Sequence, residues 1–442
     1  MADTALTGLV VGAGLMLSAN LATLRDQRGD AGELFDPVPI RVDARTIATL
    51  LACVVAGTVL GVAVIAAQVG SMLVNSTPVG RFDLAELANG VLVTILMTTV
   101  GVAAGRWTPG LIAAPIVILL FFWAVFQFAT SWLLPVVPRA DLVVGAPRPP
   151  AWHALYVLAL ILVFGAAAVL RHGHGPYRVG LVTVGTALAV LTATMSLTSP
   201  EAALMRKAID RSKTPTSIIE GADHCVSSGG VTYCSFPSYT GWIPLWEQAV
   251  APVVAALPSE VRTTLPTVRQ RTATGMIDPQ VLADNILPGT TWGRNGGEVA
   301  SRRWLAAQMA AAATGLPREG QYSGGRAGCD LRGQARAIVV LWLIGQVERP
   351  VLPGRSSVYV RERGNGAERA RTNVQSDFGA VDYGAAELAY AERLLTTADA
   401  GDRIRAGWRK LVDPATNVDE ALPILGLTAG SAASKAEGTP CT

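Results

Sequence analysis

Residues 46–80 read TIATLLACVVAGTVLGVAVIAAQVGSMLVNSTPVG, an unbroken uncharged stretch between Arg45 and Arg81. A helix needs about 20 apolar residues to cross a bilayer, and a charge inside the hydrocarbon is expensive. The stretch therefore predicts a transmembrane helix. It shows no two-residue alternation, which excludes a barrel strand. Five more uncharged stretches flank it, between Asp3 and Arg25, Glu86 and Arg106, Arg106 and Arg139, Arg148 and Arg171, and Arg178 and Glu201. No basic residue precedes the apolar core of the first, so it reads as a span and not as a signal peptide. Residues 1–200 are thus expected to form a polytopic α-helical membrane domain of six spans.

The composition changes abruptly after this region. Of the first 200 residues 19 are charged, against 50 of the remaining 242. Two domains follow: residues 1–200 in the membrane, and residues 201–442 in water as a mainly α-helical domain. The whole chain is 50% hydrophobic and 16% charged, with a mean hydropathy of +0.38. Ordinary soluble enzymes carry about 25% charge, so that class is set aside. A net charge of +3, well mixed in sign, excludes nucleic acid as a partner. Arg outnumbers Lys 32 to 4, a coding bias more than a functional signal.

Loop charge sets the expected orientation. One set of alternate loops carries Arg25, Arg28, Arg41, Arg45, Arg106, Arg171 and Arg178, while the other carries Arg81, Arg139 and Arg148. The positive-inside rule puts the first set in the cytoplasm, and both termini with residues 201–442 outside the cell membrane. Trp107, Trp132 and Trp152 fall at span ends, where an indole sits at headgroup level.

Cysteine usage agrees with an oxidising compartment for the second half. Cys53, within a span, reads as a small apolar packer. Cys225, Cys234, Cys329 and Cys441 all lie in the soluble half, an even number that reads as two disulfides. Cys225 and Cys234 bracket a hairpin-like segment with Gly229-Gly230 at its turn, which pairs them and leaves Cys329 with Cys441. A four-cysteine zinc site is the rival, but no CxxC spacing exists. Neither metal nor cofactor is expected.

Helices are expected at 201–211, 244–257, 297–316, 331–347, 384–396, 401–411 and 416–425. Ala335–Val347 is too short to span and reads as a buried core helix. The Arg- and Gly-rich stretch 353–380 reads as a mobile loop, and Glu387 and Glu392 as part of a solvated helix face. The tail from Gly426 is expected to be disordered unless Cys441 staples it back.

Of four histidines, only His224 belongs to this domain, and neither HExxH nor GxSxG occurs. Nothing in the sequence positions a triad around His224, so the chain is expected not to be an enzyme.

Within the spans the polar side chains are Asn20, Gln68, Asn89, Gln127 and scattered Ser and Thr, with no Asp, Glu, Lys or Arg. Ion-coupled carriers keep an ionisable group at mid-membrane, so secondary transport is disfavoured. The amides are expected to hydrogen-bond between helices. No P-loop is present, and any driving energy must come from a partner.

The loop from Arg25 to Arg45 surrounds an apolar pair, Leu34 and Phe35, with mixed charge and two bend-forming prolines, Pro37 and Pro39. It reads either as a docking knob for another protein or as a solvated connector. The run Ser18-Ala19-Asn20-Leu21-Ala22-Thr23-Leu24-Arg25-Asp26-Gln27-Arg28, then Glu33-Leu34-Phe35, the proline turn and Arg45-Thr46-Ile47-Ala48, resembles the coupling loop of actinobacterial ABC-2-type transporter permeases. Gly230-Val231-Thr232-Tyr233-Cys234 with Trp242, and Val268-Arg269-Gln270-Arg271, resemble segments that follow the membrane part in that family.

The resemblance implies that an ABC ATPase subunit binds in trans. Glu33, Leu34, Phe35 and Pro39 would form the docking surface, flanked by Arg25, Arg28, Arg41 and Arg45. It also implies membrane lipids as surroundings and a homo- or heterodimer of permeases as the assembly. Members of that family begin with a cytoplasmic amphipathic helix and one more span, whereas this chain starts at what resembles their second span. A start further upstream or a degenerate homologue is the expectation that follows. The function expected is the membrane subunit of an ABC-2-type exporter. The alternative is a non-transporting multi-pass anchor that displays an extracytoplasmic sensing or binding domain, and a cell-surface hydrolase stands third.

Overall fold

The fold is given by a computed structural model that describes residues 2–28, 42–75, 79, 84–108, 110–128, 133–136, 150–200, 202–203, 222–271, 279–290, 292–293, 298–316, 330–347, 360–364, 367–371, 381–430 and 440–441. The chain divides into two compact units. One comprises Met1–Val74 and Arg81–Asp210, and the other Asn75–Gly80 and Arg211–Thr442. The division falls later than the boundary expected at residue 200. It also assigns the 75–80 connection to the second unit, where Val79 packs beside Gly241.

The first unit contains α1 (Ala2–Arg28), α2 (Val42–Asn75), α3 (Leu84–Trp107), α4 (Ala113–Gln127), α5 (Pro150–Leu170) and α6 (Pro176–Thr198). Among the described residues, five helices are long and apolar enough to cross a membrane, and α4 is not one of them. The remaining stretch expected to span, between Arg106 and Arg139, contains this 15-residue helix, about 22 Å long against a hydrocarbon core of about 30 Å. Large apolar side chains of α2 and α6, such as Leu51, Val55, Val59, Val184 and Val190, face outward. That surface suits lipid and not water, as in a multi-pass membrane protein.

Close contacts fix the direction of each helix. Gly8 lies against Gly90, Met16 against Gly101, and Asn20 and Thr23 against Gly105, so α1 and α3 run parallel. Gly57 meets Ile95 and Thr98 while Gly61 meets Val91 and Thr94, so α2 runs the other way, tied by a Thr94 hydroxyl donating to the Gly57 carbonyl at 2.8 Å. Lipid supplies no hydrophobic drive between helices, so their association depends on such close packing and interhelical hydrogen bonds. At Gly61 a Cβ would stand 2.6 Å from Thr94 Oγ1, closer than any side chain permits.

α5 runs parallel to α3. At one end Trp107 Nε1 donates to the Ala167 carbonyl at 2.8 Å. At the other, Asn89 Nδ2 donates to the Pro135 carbonyl at 3.3 Å and His153 Nε2 lies 3.2 Å from the same oxygen. The Tyr156 hydroxyl donates to Leu133 nearby. Two parallel helices in sequence require the chain between them to return the length of the bundle. That return contains α4, whose Ala114 and Val125 pack with Leu9, Met16, Val93 and Met97. The bundle therefore has an Arg106 end, where α1 ends, α2 begins and α5 turns into α6, and an Asn89 end. The C-terminal ends of α2 and α6 both lie at the Asn89 end.

The second unit combines helices with two sheets. β1 (His224–Ser228) and β2 (Val231–Ser235) form a hairpin whose turn, Gly229-Gly230, has φ of +60° and +86°, the left-handed values that glycine adopts freely. β3 (Thr267–Arg269) and β4 (Asn285–Ile286) add in parallel, in the order β1-β2-β3-β4. Cys225 and Cys234 are directly paired across the hairpin and disulfide-bonded, as the bracketing predicts. Cys441 is also held in a disulfide, while Cys329 lies outside the described residues.

The core is built by α7 (Ile243–Ala256), α8 (Glu298–Ala313), α9 (Ala335–Ile344), α10 (Ala385–Leu395), α11 (Ala400–Leu411) and α12 (Val418–Leu425). These match six of the seven helices expected; of the seventh, 201–211, only residues 202–203 are described. α9 is buried at every residue, as expected of a core helix. α11 buries Ala400, Ile404, Trp408 and Leu411, a stripe at helical spacing. Asn417 caps α12 by accepting from Glu420 N at 2.9 Å, and Gly426, φ +64°, ends it.

Two expectations are corrected. Within 353–380, β5 (Val360–Gly364) and β6 (Ala367–Arg371) pair antiparallel, and β7 (Val381–Tyr383) joins β6. In register, Glu362 lies opposite Arg369 and Arg363 opposite Glu368. Glu387 is fully buried rather than solvated, because its Oε1 accepts the Gly333 N–H at 2.8 Å. In the tail, Cys441 N donates to Asp330 O at 3.1 Å, while Gln334 and Arg336 side chains donate to the Cys441 carbonyl.

Candidate partner-docking site

The proposed docking loop springs from the Arg106 end of the bundle. Its first root is the C-terminal turn of α1, where Arg25 is exposed; Arg28 is the last residue of that helix. Its second root is the start of α2, where Arg45 is half-buried and has interaction partners. Glu33, Leu34, Phe35, Pro39 and Arg41 lie outside the described residues.

The structure adds a set of groups around the second root. Asp43, in the first turn of α2, forms an ion pair at 3.0 Å with Arg178 of α6. The helix dipole favours a carboxylate there as well. One turn on, buried Thr46 shares a 2.7 Å hydrogen bond with His172 Nε2 in the α5–α6 turn. Arg178 also donates to the Gly173 carbonyl at 3.3 Å, where Gly173 has a φ of +127° that a side chain would strain. Arg106 belongs to the last turn of α3 and is 7% exposed, although its charge had suggested a loop position. A cation is favoured at a helix C-terminus, and Arg106 has interaction partners.

Burial holds the His172 pKa below its ordinary 6.5; the Arg106 and Arg178 charges press it further down and Asp43 opposes them. The imidazole is therefore neutral at pH 7, as its bond to Thr46 needs no charge. A histidine whose pKa is depressed by folding stabilises above 6.5, and that contribution is lost as pH falls through its folded value. Thermal unfolding of the full chain in detergent should thus shift down by a few degrees between about pH 7.5 and about pH 5.5. His172→Gln should flatten that dependence. An unchanged slope in the variant would place the acid sensitivity elsewhere.

The root of α2 is thus fastened by two side-chain bonds, one to Arg178 of α6 and one to His172 in the α5–α6 turn. Reading the sequence for mid-membrane charges misses this set, because each member lies within about one turn of a helix end. The usable signal was the lone acid Asp43 opening a long apolar helix.

The other candidates separate. The Asn89 amide nitrogen donates to Pro135, while the carbonyl oxygens of Asn20, Gln68 and Asn89 are buried without a partner among the described residues, and Gln127 is exposed. His224 is exposed on β1, without a side-chain hydrogen bond among the described residues. Comparison with protein-family models, curated proteins and solved structures returned no match.

Proposed function

We propose that this chain is the membrane subunit of an ABC-2-type exporter, worked from the cytoplasm by a separate ATPase that docks on residues 25–45. The observation that carries this reading is the fastening of α2 at its root, through Asp43–Arg178 to α6 and through Thr46–His172 to the α5–α6 turn. A loop that only connects two spans needs no such anchorage, whereas a loop that receives force does. In this reading the Arg106 end is cytoplasmic, which agrees with its excess of arginine. The chain crosses the bilayer six times, with α4 in the short crossing. The second unit is then extracytoplasmic, in keeping with the Cys225–Cys234 disulfide. The chain does no chemistry of its own, and the ATPase supplies the energy.

Purification in mild detergent from cells that also express the ATPase encoded beside it tests the proposal. The expected result is co-purification of ATP hydrolysis, reduced at least about tenfold by Leu34→Asp/Phe35→Asp, since burying a charge in an apolar contact costs more than 1.4 kcal/mol. Hydrolysis that never co-purifies, or that is indifferent to the double substitution, would leave the membrane anchor as the better description.

A further inference from the structure

β1 is the end strand of its sheet, and its outer edge is open. In the order β1-β2-β3-β4 it has a neighbour on one side, and His224, Cys225, Val226 and Ser227 are all exposed. The strand contains no proline and no Lys, Arg, Asp or Glu, and it pairs with β2 residue for residue without a bulge. Folded proteins shield such edges with prolines, charges or bulges, because unpaired backbone groups template another strand. Val226, 42% exposed, is also the one large apolar side chain left exposed among the described residues of the second unit.

The register shows which backbone groups this edge offers. Hydrogen-bonded positions of an antiparallel pair alternate with closer, non-hydrogen-bonded ones, at Cα separations of about 5.5 and about 4.5 Å. Cys225 and Cys234 lie opposite each other with their Cα atoms 4.1 Å apart, a non-hydrogen-bonded pair. Ser227 and Thr232, two residues on, are the next such pair, and their hydroxyls share a 3.0 Å hydrogen bond. His224, Val226 and Ser228 therefore bond to β2, while Cys225 and Ser227 turn their N–H and C=O groups to the open edge.

That edge is complementary to itself. A second β1, laid antiparallel about a two-fold axis at Val226, sets Cys225 of each copy opposite Ser227 of the other. Each of these two positions exchanges a pair of hydrogen bonds, so every outward group of the strand is used. In a register shifted by two residues, either Cys225 or Ser227 meets itself and the other faces a residue outside the strand. At the axis the two Val226 side chains face each other at a non-hydrogen-bonded position, where side chains come closest. On the same face, His224 falls opposite Ser228 of the second copy. There Glu247 of α7 already accepts the Ser228 hydroxyl, and its carboxylate keeps acceptor capacity for an imidazole N–H. An apolar pair at the centre and an imidazole–carboxylate pair on each flank match the edge to its own copy.

We propose that β1 is a homodimer contact, which joins a second copy of this chain in one continuous sheet across a two-fold axis at Val226. A five-residue strand is a small contact. It suits chains kept in one bilayer by their apolar helices, where the effective concentration is high. The proposal does not rest on the transport reading, since a non-transporting anchor would dimerise in the same way.

The test is oxidative cross-linking of the full chain in its native membranes. Val226→Cys treated with copper phenanthroline should give a disulfide-linked dimer on a non-reducing gel. The yield should be at least about tenfold that of Ala406→Cys, an exposed position on α11 that reports chance collision. Adding Ser227→Pro removes an outward N–H without touching the β2 ladder, and should abolish the product. Analytical ultracentrifugation in mild detergent gives a readout without a new thiol, and decides the matter if the added cysteine pairs with Cys225 or Cys234 instead. His224→Glu, which brings two carboxylates together, should weaken the dimer at least about tenfold, while His224→Lys should retain it. The proposal is overturned by a monomeric unsubstituted chain with no cross-link, or by a cross-link to a protein of different mass. A dimer indifferent to both Ser227→Pro and His224→Glu overturns it as well.

Discussion

Gly101→Leu should detach α1 from α3 and cost on the order of 3 kcal/mol or more, the upper range for overpacking. A Cβ at this position would overlap the Met16 carbonyl oxygen and stand 3.0 Å from Met16 Cα. Both are backbone atoms inside a helix, so no rotamer change relieves the contact. The helices must separate, and with them the packing of Leu9 and Met16 on Val93 and Met97. In lipid that packing is most of what holds the pair together. Gly14→Leu is the matched control, because nothing lies within 4 Å of its Cβ position. Thermal unfolding and size-exclusion behaviour in one detergent compare the two. Equal melting temperatures for the two variants would show that α1 is held by something other than this approach.

The second large effect concerns the second unit. Asp330→Ala should destabilise it by about 3–5 kcal/mol, the usual result of removing one partner from a buried ion pair. Asp330 and Arg332 side chains are 1% and 6% exposed and joined by two-pronged hydrogen bonds, Nε to Oδ1 at 3.0 Å and Nη2 to Oδ2 at 2.7 Å. Asp330 Oδ1 also accepts the Arg332 N–H at 2.9 Å, and the Asp330 carbonyl holds Cys441. Loss of the carboxylate leaves a buried guanidinium short of its counter-charge and loosens the anchorage of the C-terminus. For a unit of this size the cost corresponds to roughly 10 °C in melting temperature. Asp402→Ala, which breaks the exposed pair with Arg405, should cost less than about 1 kcal/mol. Comparable losses from both substitutions would contradict the assignment of the buried pair as the stabilising one.

The docking loop was legible only as a composition, an apolar pair among charges. The ion pair and hydrogen bond that fasten its second root were not, since Asp43 and Arg178, like Thr46 and His172, are more than a hundred residues apart. Glu387 was misjudged for a related reason. Its neighbours on α10 follow an amphipathic pattern, but its partner is a backbone N–H at Gly333, and backbone donors leave no trace in composition. The strands at 360–371 were missed because charge and glycine argue for solvent, whereas strand pairing is decided by backbone register between segments.

By itself the sequence determined the membrane-type apolar helices of the first 200 residues, because the cost of a buried charge acts on each residue independently of its neighbours. It also determined the core helices of the second unit and the Cys225–Cys234 pairing, which rest on local spacing. Only the tertiary structure decided that α1, α3 and α5 run parallel, and that the root of α2 is tied to α6. Those outcomes depend on contacts between distant segments, where close backbone approach and hydrogen-bond geometry decide the energy and single-residue preferences carry no information.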